Sequence, residues 1–327
     1  MIRNHIIFFS GGKSSFAVAD WVKTNYPDDN ILLYFTDTLW ENDDLYRFIN
    51  EASDKLQLPL LTHSAGLNPM QLMFEKKLVF NSMIGDCSKI LKMRVASDFL
   101  KRRKKPPIEK WRNRPFLREE DFITGATLYF GIGFDEMHRE EAIRKNWSPF
   151  PVEMPLIENN IWVDETLKKY DIEQPKLYDY GFSHNNCNGR CVKAGQGHYK
   201  LLRDKMPDVF REILEQEHYI WMYVSSYRYL METETDARFP EWLKQRELQE
   251  LDDAYRDYFY GRAKKPKLYI HPTNWLDHRP YKRYSFMKRE GTPFNIRDLD
   301  HEIKSDMQID LFDIGGCGCF TDACSLP

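Results

Sequence analysis

The chain has 327 residues, 42% of them hydrophobic and 14% aromatic, enough for about two domains with buried cores and against disorder as the overall state. Its 47 basic and 50 acidic residues nearly cancel to a formal charge of −3, which excludes a wholesale polyanion binder and confines any nucleic-acid contact to a local patch. No stretch approaches the roughly 18 consecutive apolar residues of a membrane span. The opening apolar run, Ile6 to Phe9, is too short for a secretory signal, so a soluble, cytoplasmic protein is expected.

In chain order, His5, Ile6, Ile7, Phe8 and Phe9 form a short run of strand type. The loop Ser10-Gly11-Gly12-Lys13-Ser14-Ser15 follows, and then residues 16–24 carry Ala17, Val18, Trp21 and Val22 at helical spacing. Two glycines let such a loop turn tightly and aim its N–H groups at an anion. The serine hydroxyls, the Lys13 charge and the helix dipole add to that. The spacing of a Walker A loop is absent, and a plain serine-capped turn is the competing reading.

Residues 31–35 read as a second buried strand ending in Thr36-Asp37-Thr38, residues 42–56 as a helix, residues 58–62 as a third strand, and residues 121–132 contain a fourth. Strands alternating with helices predict an α/β fold with a doubly wound, mostly parallel sheet. Ligands of such sheets sit beyond the carboxyl ends of the strands, where both the loop and Asp37 fall.

Residues 101–115 carry eight Lys or Arg and one acid, Glu109; Pro106 and Pro107 break the preceding helix and predict an exposed loop. Residues 209–229 are helical in period. Residues 232–258 carry nine acids against four bases and read as a solvated helical face. Residues 262–289 carry nine bases against Asp277, interleaved with Tyr269, Trp275, Tyr281, Tyr284 and Phe286. Basic groups among aromatics suit a phosphate backbone with exposed bases, although a solvated surface over buried rings gives the same pattern.

Six cysteines in a chain this long do not make a disulfide scaffold. Cys187 and Cys191 are spaced C-x3-C, Cys87 stands alone, and Cys317, Cys319 and Cys324 crowd a glycine-containing tail. In a reducing compartment such clustering reads as metal binding or redox chemistry.

Taken together, Ser10-Gly11-Gly12-Lys13 with Ser15 resembles the PP-loop of N-type ATP pyrophosphatases, within the adenine nucleotide alpha hydrolase fold. More of the chain resembles the phosphoadenosine-phosphosulfate (PAPS) reductase branch. Asp37-Thr38 with Glu41 is similar to its "DTG…E" segment, and Cys87-Ser88 followed by Leu91-Lys92 to its "CT…LK" helix start. Gly131-Ile132 with Asp135-Glu136 and Arg139 is similar to its strand-end motif. Pro155-Leu156, Leu177-Tyr178, Gly181-Phe182 and the cysteine pair follow in family order. Two positions depart: Ser14 stands where the loop usually has aspartate, and Leu39 where "DTG" has glycine.

The resemblance implies ATP and Mg²⁺ as cofactors, with Ser10, Gly11, Gly12, Lys13, Ser14, Ser15, Asp37 and Thr38 around the nucleotide. Lys13, Asp37, Lys92 and Arg139 are the implied catalytic set. A surface role for the last two, or a structural pairing with Asp135 and Glu136, is the alternative. It also implies a [4Fe–4S] cluster on Cys87, Cys187 and Cys191, with Cys319 or else Cys317 as fourth ligand. A structural zinc on Cys187, Cys191, Cys317 and Cys319, or free thiols, remain open. The implied activity is adenylation of a substrate, RNA or DNA, for sulfur insertion of the thiolation or phosphorothioation kind. A sulfur-donor protein such as a cysteine desulfurase is the implied partner. The alternatives are a reductase of PAPS or adenosine phosphosulfate using a tail cysteine, and a nucleotide-sensing module without catalysis. Residues 1–205 are expected to form the nucleotide domain and 206–327 a helical extension with the cysteine tail.

Overall fold

The computed structural model describes residues 2–81, 84–159, 161–267, 282–305 and 307–313. They fall into two compact units, residues 2–67 with 86–191 and residues 68–85 with 192–313.

The first unit opens with β1 (Asn4–Phe8), α1 (Lys13–Asn25), β2 (Asn30–Asp37), α2 (Asp43–Leu56) and β3 (Leu60–Ser64). The chain then supplies α3 (Pro69–Lys76) to the second unit and returns with a π-helical stretch, Ser88–Arg94, that runs into α4 (Val95–Arg102). There follow β4 (Ile108–Arg112), β5 (Thr127–Phe130), α5 (Glu140–Trp147), β6 (Val152–Glu153), α6 (Pro155–Glu158), α7 (Val163–Tyr170) and α8 (Lys176–Asp179). Among the described residues the six strands form one sheet in the order β4-β3-β2-β1-β5-β6, parallel except for β4. This is the doubly wound α/β arrangement.

Its strands are continuously apolar because both faces are covered. Ile7, Phe9, Leu33 and Phe35 pack beneath α1 and α2 with Phe16, Val22 and Phe48. Ile6, Phe8, Leu32 and Tyr34 pack on the other face against Phe99, Leu100 and Trp147. The helix expected over 42–56 starts with Asn42 as its cap, whose side chain accepts the Leu45 N–H at 2.7 Å.

Two expectations shift. The third strand lies at Leu60–Ser64 and not 58–62, since Pro59 has no N–H for the ladder and only its carbonyl pairs, with Leu33. Residues 101–115 are not all loop. The prolines end the helix as expected, but Ile108–Arg112 then pairs antiparallel with β3, and Trp111 packs edge-on to Phe122. The unpaired edge of β3 recruits a strand that the basic composition conceals.

The second unit holds α3, α9 (Gln196–Lys205), α10 (Pro207–Glu232), α11 (Glu241–Phe259), the hairpin β7 (Met287–Arg289) and β8 (Thr292–Phe294), and α12 (Ile296–Lys304). The helices expected at 209–229 and within 232–258 are α10 and α11. Lys77, just past α3, puts its ammonium 2.9 Å from both Asp252 oxygens and over the Phe74 and Tyr223 rings, stapling α3 to α10 and α11. Glu217 of α10 is 1% exposed; it accepts the Phe286 N–H at 2.8 Å and the Ile296 N–H at 2.6 Å, pinning the hairpin and the start of α12. No helix among the described residues is long and apolar enough to cross a membrane.

Candidate nucleotide site

The chain runs outward from β1 through β2 to β3 and later crosses to β5, so the strand order reverses between β1 and β5. Ligands of open α/β sheets bind outside that point. The loop of residues 10–15 leaves β1 there. Gly11 takes φ +80°, the left-handed conformation glycine favours, and a Cβ on it would also press into Leu45 at 2.9 Å. Gly12 is extended and precedes α1 with no side-chain cap, and the first turn of α1 holds no acidic residue. The loop is braced from within: the Ser15 hydroxyl donates to the Gly12 carbonyl at 2.8 Å, and the buried Asn185 amide donates to the Gly11 carbonyl at 2.9 Å. Opposite it, a Cβ on Gly131 would stand 2.8 Å from the Ser15 nitrogen, so the chain leaving β5 lies directly on the loop. These features leave the N–H groups at the start of α1 facing the ligand crevice, the geometry that holds phosphate.

Lys13 reaches sideways. Its ammonium is 2.8 Å from Asp164 of α7 and 5.3 Å from the centre of the Tyr178 ring, at the edge of an open depression of about 640 Å³. Burial above all, with help from Glu136 and against the nearby Lys13 backbone N–H, pushes the Tyr178 pKa up to about 12.

Asp37 ends β2, three residues past Tyr34, which pairs with Phe8 at the end of β1. Its Oδ1 accepts the Leu39 N–H at 2.7 Å and the Tyr46 hydroxyl at 2.9 Å. Burial and Asp37 together raise the Tyr46 pKa, keeping that hydroxyl a donor. Leu39 takes φ 55°, so the place of the family's glycine keeps a glycine-like backbone. Thr38 donates to Glu41 at 2.9 Å. Glu41, fully buried at its carboxylate, also accepts the Cys187 N–H and lies 3.9 Å from the Lys92 ammonium, itself nearly buried.

Of the residues singled out from sequence, the loop, Asp37 and Thr38 therefore gather at the strand ends. Lys92 stands behind Glu41. Arg139 is paired with Glu136 in the turn after β5, the structural pairing weighed above. Sequence reasoning did not select Tyr178, Asp164, Tyr46 or Asn185. Only the motif position of Tyr178 signalled it, because the others come from elements whose approach is tertiary. Glu41 was visible through its spacing from Asp37.

Cys87 is half-buried at the start of the π-helical stretch, and Cys187 and Cys191 are buried thiols. Glu41 links the Cys187 backbone to Lys92, five residues past Cys87. Among the described residues, however, no three His, Cys, Asp or Glu side chains are grouped to hold a metal. The described thiols thus do not by themselves present the ligand set of a cubane or of a zinc site. Cys317, Cys319 and Cys324 lie outside the described residues, as do Trp275 and Tyr281.

Much of the basic segment 101–115 is engaged at the surface: Arg102 with Asp98, Arg103 with Asp121, Arg112 with Asp54 and Arg114 with Glu120. Lys104, Lys105 and Lys110 are exposed. In the other basic segment Arg283 pairs with Asp298 and Arg289 with Glu302.

The model of the phosphoadenosine phosphosulfate reductase domain family matches residues 4–108. Over that part the chain is similar to the PAPS reductase-like adenine nucleotide alpha hydrolases. No curated protein and no solved structure matches the chain. The match spans β1, the loop, Asp37, Glu41, Cys87 and Lys92. The match supports, at the level of that family, a nucleotide-using enzyme of the PP-loop class.

Proposed function

We propose that the protein binds Mg²⁺ and ATP at the loop of residues 10–15 and transfers AMP to an oxygen of a nucleic-acid acceptor, readying that position for sulfur insertion. The uncapped start of α1 at the strand-order reversal carries this reading. The acceptor oxygen attacks the α-phosphorus, the bond to the α–β bridging oxygen breaks, and pyrophosphate leaves with the electron pair while the acceptor proton passes to water. The helix dipole and loop amides stabilise the charge on the departing group. The outer sulfur of a donor persulfide then attacks the activated position, AMP leaves with the acceptor oxygen, and a second thiol releases the thiolated product by disulfide exchange.

Asp37 fits a magnesium ion as far as its chemistry goes. One carboxylate at the phosphate loop is a usual protein share for Mg²⁺, the rest being phosphate oxygens and water. With Oδ1 held by Leu39 and Tyr46, Oδ2 is the oxygen for the cation. Magnesium would neutralise the phosphates there. No step is assigned to a cluster, because the described cysteines do not assemble its ligand set. The exposed Lys104, Lys105 and Lys110 support a phosphate-backbone acceptor, and a cysteine desulfurase-type protein supplies the sulfur in this reading.

The test is pyrophosphate release from ATP with and without RNA or DNA, with label from the α-phosphate followed onto the acceptor. Acceptor-dependent release is expected. ATP binding without release under any acceptor would replace this reading with nucleotide sensing, and sulfite formed from PAPS with a thiol donor would replace it with reduction. Replacing Lys101, Arg102, Arg103, Lys104 and Lys105 together by Ala should weaken nucleic-acid binding and flatten its salt dependence.

A further inference from the structure

Resting on the nucleotide reading above, we propose that Tyr178 is a gate on the phosphate loop: its hydroxyl holds the place of a phosphate oxygen, and it has to swing aside before the nucleotide's phosphates enter. Three observations place it there. A Cβ on Gly12 would lie 2.9 Å from the Tyr178 oxygen, so the hydroxyl stands over the apex of the loop. The same oxygen lies close enough to the backbone N–H of Lys13 to act on it electrostatically, and that N–H is one of the donors an anion at the start of α1 would use. The ring lies under the Lys13 ammonium, which is drawn outward onto Asp164. Phosphate binding therefore competes with an internal acceptor for the amide and with an internal carboxylate for the ammonium.

The gate moves without disturbing its base. Leu177 is 1% exposed and anchors the one-turn helix α8 in the core, while Lys176 donates its N–H to Asp44 at 2.8 Å. The motion the gate needs is a rotation of the Tyr178 side chain about this fixed base. Asp164, 72% exposed at its side chain, is a weak latch for Lys13.

Calorimetry with MgATP, pyrophosphate and adenosine on the wild type, Tyr178→Phe and Asp164→Asn tests the gate. Tyr178→Phe keeps the ring and removes the competing acceptor. ATP and pyrophosphate should then bind about three- to tenfold tighter, the worth of one hydrogen bond, with adenosine unmoved. Asp164→Asn, at a surface position that does not threaten folding, should tighten both phosphate ligands by about twofold, the worth of an exposed ion pair. ATP binding by Tyr178→Phe but not by the wild type would also support the gate. If the wild type binds ATP and neither variant binds it tighter, or if adenosine tightens equally, the gate is wrong while the nucleotide site stands. If no protein binds ATP or pyrophosphate, the nucleotide reading falls and the gate falls with it.

Discussion

In the unit formed by residues 2–67 and 86–191, polar groups collect where the strands end, and α1 opens without a side-chain cap, with the Tyr178 hydroxyl close to Gly12. Among the described residues of the unit formed by 68–85 and 192–313, two charged groups are answered by their own surroundings. Glu217 is satisfied by two backbone N–H groups and Lys77 by Asp252. Both units bury charge, but among the described residues it is the first that has an uncapped helix start at a strand-order reversal. A buried ion answered by its own backbone is structural, whereas donors gathered at a strand-order reversal define a site.

The comparison is sharpest at Glu217. Glu217→Ala strands the Phe286 and Ile296 N–H groups, at roughly 1–3 kcal/mol each, so the second unit should lose about 2–6 kcal/mol in denaturant unfolding. ATP affinity should stay unchanged. Weakened ATP binding in this variant would break the division of labour between the units.

Gly131→Val acts on the other side. Its Cβ would meet the Ser15 backbone, which cannot yield as a side chain does, so the loop must shift. A stability loss of about 1–3 kcal/mol and a loss of ATP binding by calorimetry are expected. Gly12→Val should also abolish binding, by filling phosphate space, since the backbone at Gly12 is extended and the positive φ belongs to Gly11. Lys13→Ala should weaken ATP binding by about 1–3 kcal/mol, the range for hydrogen bonds to charged groups. Unchanged affinity would take the ammonium out of the phosphate site and leave it to Asp164.

The units should also respond oppositely to pH. In the first, burial lowers the pKa values of His5 and His63, each held between a carboxylate and a tyrosine hydroxyl: Asp29 and Tyr129 for His5, Glu109 and Tyr34 for His63. The unfolded chain then binds protons that the folded unit refuses, and stability is lost as pH falls through about 6.5. Asp29 and Glu109, both held below their ordinary range, push the same way at lower pH. In the second, burial raises Glu217 to about 7 despite its two N–H donors. Its contribution is fully present below about 4.5, the ordinary glutamate range, and is lost as pH rises through about 7. Hydrogen exchange by mass spectrometry, corrected for intrinsic rates, should show the first unit loosening and the α10–hairpin contact tightening from pH 7.5 to 5.5. Parallel changes would refute the assignment. The smallest effect expected is in alkylation: Cys87, half-buried, should react before Cys187 and Cys191.

The sheet unit was legible because its pattern is local. Apolar runs of four or five residues, a glycine loop and an amphipathic helix repeat in order, and each can be read within about twenty residues. β4 was not, because its pairing answers the edge of β3 and its composition is that of a basic surface. Residues 68–85 read as part of the first half, yet they pack with 192–313, since Lys77 finds Asp252 across 175 positions of chain.

What the sequence determined by itself is the fold class, the likeness of its first third to the PAPS reductase domain family, and the loop with Asp37 beyond the strand ends. Residue type and short spacing encode these, through periodicity, glycine's conformational freedom and the chemistry of the donors. Tertiary structure alone decided that Tyr178 lies over Gly12, that Lys13 turns to Asp164, and that Glu41 joins Lys92 to Cys187. Those pairs are brought together by the packing of α7, α8 and the π-helical stretch around the sheet. Side-chain partners that far apart in the chain are set by distance in space, which no local pattern records.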